Sequence, residues 1–91
     1  MQKTVHVFIK GKVQGVFFRA NTKEQAEKRN ISGWVKNTSD GRVEAVFQGD
    51  DSSVDDLIEW CHQGPSMSKV SDVTTESIDT DELFDGFSIR Y

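Results

Sequence analysis

Cysteine and histidine are scarce in this chain of 91 residues, which has one cysteine, Cys61, and two histidines, His6 and His62. A single cysteine cannot form an internal disulfide, and a metal cluster held by several cysteines is excluded. The two histidines lie far apart in the sequence, and the acidic run 79–82 lacks the ligand spacing of a calcium loop. We therefore predict that the protein uses no metal and no other cofactor.

Long hydrophobic runs are also missing. No stretch is apolar for long enough to span a bilayer, and residues 1–6 lack the apolar core of a signal peptide. We therefore predict a cytoplasmic protein that does not bind membranes. The length is sufficient for one hydrophobic core and too short for two, so residues 1–91 are predicted to form a single domain. No motif indicates an oligomer, and a monomer is expected.

Hydrophobic periodicity predicts a strand and then a helix in the first third of the chain. Apolar residues alternate with polar or mixed ones over Thr4–Lys10, which is typical of a strand with one buried face. Good helix formers without proline then predict a helix over Arg19–Arg29. Asn30 follows it at a position that favours a left-handed residue. A capping box at Thr22–Gln25 offers an alternative start one turn later.

The middle of the chain is predicted to form a β-hairpin followed by a second helix. Strands at 32–37 and 42–48 flank a turn at 38–41 that ends in Asp-Gly, a pair typical of hairpins. The helix is predicted from Ser53 to His62 and ends before Gly64-Pro65. Its apolar residues lie at i, i+3, i+4 and i+7 and form one stripe that consists of Val54, Leu57, Ile58 and Cys61. Cys61 is therefore predicted to be a small core residue and not a nucleophile.

The last third of the chain completes the fold prediction. A strand is predicted at 70–75, an acidic loop at 79–86, and a short alternating strand at 87–91. The resulting order is strand, helix, strand, strand, helix, strand, with a short C-terminal strand. This order predicts an α+β sandwich of the ferredoxin-like type, in which two helices cover one face of an antiparallel sheet.

A glycine-rich loop precedes the first helix and ends in an arginine. Over residues 11–19 the chain bends at Gly11 and Gly15 and reaches Arg19 at the predicted helix start. Such a loop can direct several backbone N–H groups at one anion, and an arginine adds a planar fork of donors that fits phosphate oxygens. A surface arginine is the simpler interpretation, but cations are disfavoured at a helix N-terminus. We therefore predict a phosphate site in this loop.

The two halves of the chain differ sharply in charge. Residues 1–42 contain nine Lys or Arg against three acidic residues, whereas residues 43–91 contain two against twelve. A basic surface around an anion site would attract a small phosphorylated substrate, and it also raises nucleic acid as a partner. Solvated faces of strands and helices explain the same charges equally well.

Two motifs in this sequence resemble those of the acylphosphatase family. The first is Gly11-x-Val13-Gln14-Gly15-Val16-x-Phe18-Arg19, and the second, which begins at Gly33-Trp34-Val35-x-Asn37, continues through Asp40-Gly41 to Val43. The resemblance covers the whole chain and implies the ferredoxin-like fold. It also implies hydrolysis of the carboxyl–phosphate bond of acyl phosphates, which gives a carboxylate and inorganic phosphate without a metal.

The resemblance further implies roles for individual residues. The loop from Gln14 to Arg19 would bind the substrate phosphate through six residues: Gln14, Gly15, Val16, Phe17, Phe18 and Arg19. Arg19 and Asn37 would be catalytic, with Arg19 holding the phosphate and Asn37 placing the attacking water. Elementary chemistry agrees, because a carboxylate leaving group of pKa about 4 needs no general acid.

Simpler interpretations exist for two parts of this site. Asn37 lies beside the hairpin turn, where an asparagine side chain often bonds its own backbone. Of the adjacent Phe17 and Phe18, at least one must be a core residue, which leaves the other for the mouth of the pocket.

Two other functions are alternatives to hydrolysis. The first is a non-catalytic module that binds phosphate or carbamoyl phosphate, since similar modules occur in larger carbamoyl-phosphate-using proteins. The second is RNA binding, because RNA-recognition domains share this order of elements. RNA binding is disfavoured because the third strand, 42–47, has one aromatic residue and one acid where such domains present several aromatics. We therefore expect no nucleic-acid partner.

Overall fold

A computed structural model describes residues 1–91 of the protein, and its elements follow the predicted order. The strands and helices are β1 (Gln2–Lys12), α1 (Phe18–Lys28), β2 (Ser32–Asn37), β3 (Val43–Asp50), α2 (Asp51–Gln63), β4 (Lys69–Ser77) and β5 (Phe87–Ile89). The hairpin formed by β2 and β3 is confirmed. Neither helix has the length and apolar character needed to cross a bilayer.

The five strands form one sheet in the order β4-β1-β3-β2-β5. β1 pairs antiparallel with β3 and β4, and β2 pairs antiparallel with β3. The short β5 pairs parallel with β2 and is the only parallel neighbour in the sheet. The predicted α+β ferredoxin-like sandwich is confirmed, with this one parallel pair added at the edge.

The C-terminal ends of β1, β2 and β5 lie at the same end of the sheet. β1 and β2 both run antiparallel to β3, so they point in the same direction, and Ile9 and Asn37 are both partners of Val43. β5 runs parallel to β2 and therefore points the same way. Three features consequently lie at the same end of the sheet: the loop after β1, the last residue of β2 and the C-terminal Tyr91.

The core lies between the sheet and the two helices. Val5, Val7 and Ile9 alternate along β1 and are buried, as the period of two predicts. Leu57 and Cys61 of α2 are fully buried against the same core, which confirms the predicted stripe. Each fully buried aliphatic side chain contributes roughly 1.5 to 3 kcal/mol to the free energy of unfolding.

Both helix starts differ from the sequence prediction. α1 begins at Phe18, and the alternative start at Thr22 is wrong because Thr22 is buried within the helix and donates its hydroxyl to the Phe18 carbonyl. α2 begins at Asp51, two residues before the predicted start, because the Asp51 N–H donates to the Met1 carbonyl at 2.9 Å. The ends fit the predictions better, since Asn30 is left-handed (φ 55°) and Gly64 caps α2.

The acidic segment between β4 and β5 is a loop, as predicted, and one buried side chain fixes it to the sheet. Gln48 of β3 donates to the Glu82 carbonyl at 2.7 Å and accepts from the Phe84 N–H at 2.9 Å. This attachment sets the path by which the chain reaches β5 and Tyr91.

Candidate active site

The loop between β1 and α1 alternates negative and positive backbone φ angles. Gly15 has φ of 72° and Phe17 has φ of 60°, while Gln14 and Val16 keep negative φ values. Such an alternation is typical of loops in which successive N–H groups point to one side and bind an anion. A Cβ at position 15 would meet nothing within 4 Å, so lack of space does not require glycine there. The positive φ does, because glycine adopts it without steric cost.

The N–H groups of this loop have no acceptor in the protein. None of the backbone donors of residues 15–17 makes a hydrogen bond, and the first N–H of the following helix that does so belongs to Asn21, which bonds the Phe17 carbonyl. Phe17 caps α1 with no side-chain hydrogen bond, and the first turn contains no acidic residue. The free N–H donors therefore lie at the N-terminal end of α1, where no acidic side chain offsets the positive end of the helix dipole. Both features favour a bound anion.

Arg19 adds a full positive charge to the first turn of α1. Its guanidinium forms no ion pair with any carboxylate of the protein. It lies instead under the C-terminal ring, with Cζ 5.0 Å from the centroid of Tyr91. A cation–π contact holds the side chain without neutralising its charge, so the donor fork stays available to an anionic ligand.

Asn37 ends β2 beside the hairpin turn. Its Oδ1 is buried and has no hydrogen-bond partner. Thr38 stabilises the turn in its place, because its hydroxyl donates to the Asp40 carboxylate and accepts from the Arg42 N–H. The simpler interpretation, in which Asn37 bonds its own turn, is therefore not observed. An unpaired buried acceptor costs about 1 to 3 kcal/mol.

Gln14 connects the loop to the hairpin turn. Its side-chain Nε2 donates to the carbonyl of Thr38 at 2.8 Å and to the carbonyl of Arg42 at 2.9 Å. These bonds fix the loop against the residue that follows Asn37. The sequence analysis predicted that Gln14 binds substrate. In the structure, the side-chain amide of Gln14 donates both of its hydrogens to backbone carbonyls of the protein.

The neighbouring carboxylate belongs to the turn and does not neutralise the anion site. A hydrogen bond from Thr38 and the charge of Arg42 lower the pKa of the Asp40 carboxyl, which accepts from Arg42 Nε at 2.9 Å. Asp40 and Arg42 thus satisfy each other beside the turn. The free donors around the loop and Arg19 remain the positive features of the site.

Comparison with known proteins identifies the family. A family model described as Acylphosphatase matches residues 5–89. The chain belongs to the acylphosphatase family. It is 56% identical over 85 residues to an acylphosphatase of Haloquadratum walsbyi, a match that covers 93% of this chain and 90% of the relative. The family predicted from the two motifs is confirmed.

Solved acylphosphatase structures share the whole architecture. That of Bacillus subtilis superposes with a TM-score of 0.94 at 36% identity and covers 100% of both chains. That of Coxiella burnetii superposes with a TM-score of 0.93 at 43% identity, covering 98% of this chain and 93% of the other. The likeness therefore extends over the complete sheet and both helices.

The acylphosphatase motifs meet at one end of the sheet. The first motif supplies the loop and Arg19, and the second supplies Asn37, joined to the loop through Gln14. The two phenylalanines divide as expected, because Phe18 is 1% exposed and packs against Trp60, whereas Phe17 is 78% exposed.

Sequence reasoning missed the contribution of Tyr91 to this acylphosphatase site. Nothing in the order of residues indicated that the C-terminal ring covers Arg19; only the parallel pairing of β5 with β2 places it there. No three side chains of His, Cys, Asp or Glu come together in a group that could hold a metal. Cys61 is buried away from solvent, and burial raises the pKa of its thiol to about 12.

Proposed function

We propose that this protein hydrolyses the carboxyl–phosphate bond of acyl phosphates and releases a carboxylate and inorganic phosphate. The observation that supports it best is the buried, unpaired Oδ1 of Asn37 at the same end of the sheet as the loop with free N–H donors. The loop with its free N–H donors suits a bound phosphate, and the unpaired amide of Asn37 suits an attacking water.

The phosphate is held by the loop and by Arg19. The backbone N–H groups of Gly15, Val16, Phe17 and Phe18 bind the phosphate oxygens, and the guanidinium of Arg19 donates two parallel hydrogen bonds to them. Because these donors are fixed before the substrate arrives, they stabilise the charge of the transition state with little reorganisation.

Asn37 positions the water that attacks phosphorus. Its side-chain amide hydrogen-bonds the water and orients a lone pair of the water oxygen toward phosphorus, opposite the leaving carboxylate. An amide cannot remove a proton, and a loose phosphoryl-transfer transition state needs no strong base. As the P–O bond breaks, the acyl oxygen leaves as a carboxylate, and the protons of the water remain on the phosphate product or pass to solvent.

Gln14 serves this site as a positioning residue. Its side chain fixes the distance between the loop that binds phosphate and the turn that carries Asn37. Its backbone N–H lies at the start of the same loop. We assign no further contact with the substrate to its side chain.

Four further proposals come from the sequence. We propose that residues 1–91 act as one domain, that the protein is a monomer, and that it works in the cytoplasm without a nucleic-acid partner. The carboxylate of Glu44 on β3 supports the absence of a nucleic-acid partner, because it contacts His6 at 2.7 Å and Lys36 at 3.7 Å and would repel a phosphate backbone there. Light scattering of the purified protein measures its molar mass and so tests whether it is a monomer. The dependence of that mass on protein concentration tests for weak association.

The decisive experiment is hydrolysis of benzoyl phosphate with EDTA present. We expect chelator-resistant turnover in the wild type and a loss of roughly 100- to 1,000-fold in Arg19→Ala, accompanied by weaker inhibition by phosphate. Arg29→Ala is the matched control, because this arginine lies at the other end of α1 and bonds only Gln25.

The same assay separates the role of Asn37 from that of Arg19. Asn37→Ala is expected to lower kcat by a similar factor while phosphate inhibition stays within a few-fold of the wild type, because the loop is intact. Folded wild type that binds phosphate but does not turn over would contradict the proposal and indicate a binding module.

A further inference from the structure

A cavity of about 300 Å³ lies on the face of the sheet that the helices leave open. Thr4 and His6 contribute to its floor, and they alternate along β1 with Val5 and Val7 of the core, so they point away from the helices. No residue of the phosphate loop lines this cavity. It is therefore a site separate from the one that binds phosphate.

Apolar side chains line the cavity from two sides. Trp34 and Val46 belong to the sheet, whereas Ile78 and Phe84 belong to the segment that follows β4 and crosses the sheet. Backbone bonds fix this segment, because the Ile78 N–H donates to the Thr4 carbonyl at 2.9 Å and the Phe84 N–H donates to the buried Gln48 side chain at 2.9 Å. The apolar walls are thus in place before a ligand arrives, which lowers the entropic cost of binding.

Two charged side chains of opposite sign line the same cavity without pairing with each other. Arg90 forms no ion pair, and its Cζ lies 4.8 Å from the centroid of the Trp34 ring. Glu82 forms no ion pair either, and its hydrogen bonds involve only its backbone.

The remaining charge in the lining is already compensated. Glu44 contacts His6 at 2.7 Å and Lys36 at 3.7 Å. One free cation and one free anion therefore remain in a cavity with apolar walls. A ligand that complements all of them carries a negative group, a positive group and an apolar group.

We propose that this cavity binds a free α-amino acid with a large apolar side chain. The amino-acid carboxylate accepts hydrogen bonds from the Arg90 guanidinium, and the ammonium group donates to the Glu82 carboxylate. The apolar side chain packs between Trp34 and Phe84. A cavity of about 150 Å³ in another protein binds benzene, so twice that volume has room for an aromatic side chain together with both charged groups. This binding does not depend on hydrolysis at the phosphate loop.

The test is an NMR titration of isotopically labelled protein with L-phenylalanine, in buffer that contains saturating inorganic phosphate. The two tryptophans supply the readout and its internal control, because Trp34 lines the cavity and Trp60 packs against Phe18 in the helix layer. We expect the indole N–H of Trp34 to shift saturably with a Kd of roughly 1 mM or below, while that of Trp60 stays unchanged. No saturable shift of Trp34 at about 20 mM L-phenylalanine overturns the proposal.

Analogues of phenylalanine test each contact in the wild-type protein. Phenylpropionate lacks the ammonium group, phenethylamine lacks the carboxylate, and glycine lacks the apolar side chain. Each should bind at least about tenfold more weakly than L-phenylalanine, because each loses a charge-assisted hydrogen bond or the apolar contact. Equal binding of phenylpropionate or phenethylamine would refute an amino-acid site and indicate an apolar acid or an apolar amine as the ligand.

Two variants assign the charged contacts. Arg90→Met should weaken L-phenylalanine about tenfold and leave phenethylamine unchanged, whereas Glu82→Gln should weaken L-phenylalanine and leave phenylpropionate unchanged. Asp81→Asn is the matched control, because it removes the same charge from the same segment and Asp81 does not line the cavity. An equal loss of both ligands in either variant would refute the assigned contact, and the analogue series decides the proposal even if a variant does not fold.

Discussion

Replacing Gln14 by methionine tests the connection between the phosphate loop and the turn beside Asn37. Methionine matches glutamine in length and nearly in volume, so the change removes two hydrogen bonds without leaving a cavity. The bonds lost are those from Nε2 to the carbonyls of Thr38 and Arg42, at 2.8 and 2.9 Å. The variant therefore isolates the connection from the packing.

The expected loss of stability is modest. Each net hydrogen bond contributes about 0.5 to 1.5 kcal/mol, which gives about 1 to 3 kcal/mol for the pair. The value should lie in the lower part of this range, because both carbonyls keep another donor. The Gly41 N–H remains 3.3 Å from the Thr38 carbonyl, and the Thr38 N–H remains 2.9 Å from the Arg42 carbonyl. Urea unfolding measures the difference.

The expected effect on catalysis is larger than the effect on phosphate binding. Once the turn is free of the loop, the water held by Asn37 and the phosphate held by Arg19 lose their fixed separation. A misplacement of about 1 Å lowers the rate by as much as 100-fold, so we expect kcat to fall by roughly 10- to 100-fold. Inhibition by phosphate should change by no more than a few-fold, since the loop donors and Arg19 are retained.

The outcome distinguishes a positioning role from a purely structural one. Gln63→Met is the control, because Gln63 is exposed at the end of α2 and makes no side-chain hydrogen bond. Normal kcat in a destabilised Gln14→Met protein would refute the reasoning. A parallel loss of kcat and of phosphate affinity would mean that the loop itself had collapsed.

Three further predictions concern a pair of glycines, Arg19 and Cys61. Gly33→Ala should lose at least about 3 kcal/mol in urea unfolding, because φ is 134° and a Cβ would lie 1.9 Å from the Val46 carbonyl oxygen. Gly41→Ala, with φ of 91° and open space, should lose only the strain of about 1 to 2 kcal/mol. Arg19→Lys should restore little activity to the site, because a point charge cannot replace the donor fork in phosphate binding. Burial raises the pKa of Cys61 from 9.0 to about 12, so the folded state keeps a proton that the unfolded state loses. Stability should therefore fall above pH 9 by up to about 1.4 kcal/mol per pH unit in the wild type, and this component should be missing from Cys61→Ala.

The sequence predicted those features that depend on local chemistry. The Asp40-Gly41 turn, the stop at Gly64 and the left-handed Asn30 each follow from the conformational preference of one or two residues. The first family motif and Arg19 were recognisable for the same reason, because they occupy a short continuous segment. At least one of Phe17 and Phe18 was expected in the core and the other at the pocket mouth, but only the structure shows that Phe18 is the buried one.

Features that depend on backbone partners far along the chain could not be predicted. Gln14 bonds carbonyl groups 24 and 28 residues away, and a carbonyl is present at every residue, so no side-chain pattern marks the partner. The start of α2 was misplaced for a related reason. Asp50, Ser52 and Ser53 are all acceptable caps, and the choice depends on the bond from Asp51 to Met1.

The distribution of ion pairs explains how the basic half of the chain serves the site. Four of its nine cations pair with carboxylates: Lys3, Lys28, Lys36 and Arg42. Among those left without an ion pair are Lys12, which ends β1 before the loop, and Arg19 and Lys23, which lie in α1 after it. The two explanations of the charge asymmetry, a solvated surface and attraction of a phosphorylated substrate, therefore each hold for a different set of residues. Much of the excess is solvated or paired charge, while the part next to the loop keeps a positive field where a phosphate must arrive, within about one Debye length of the site.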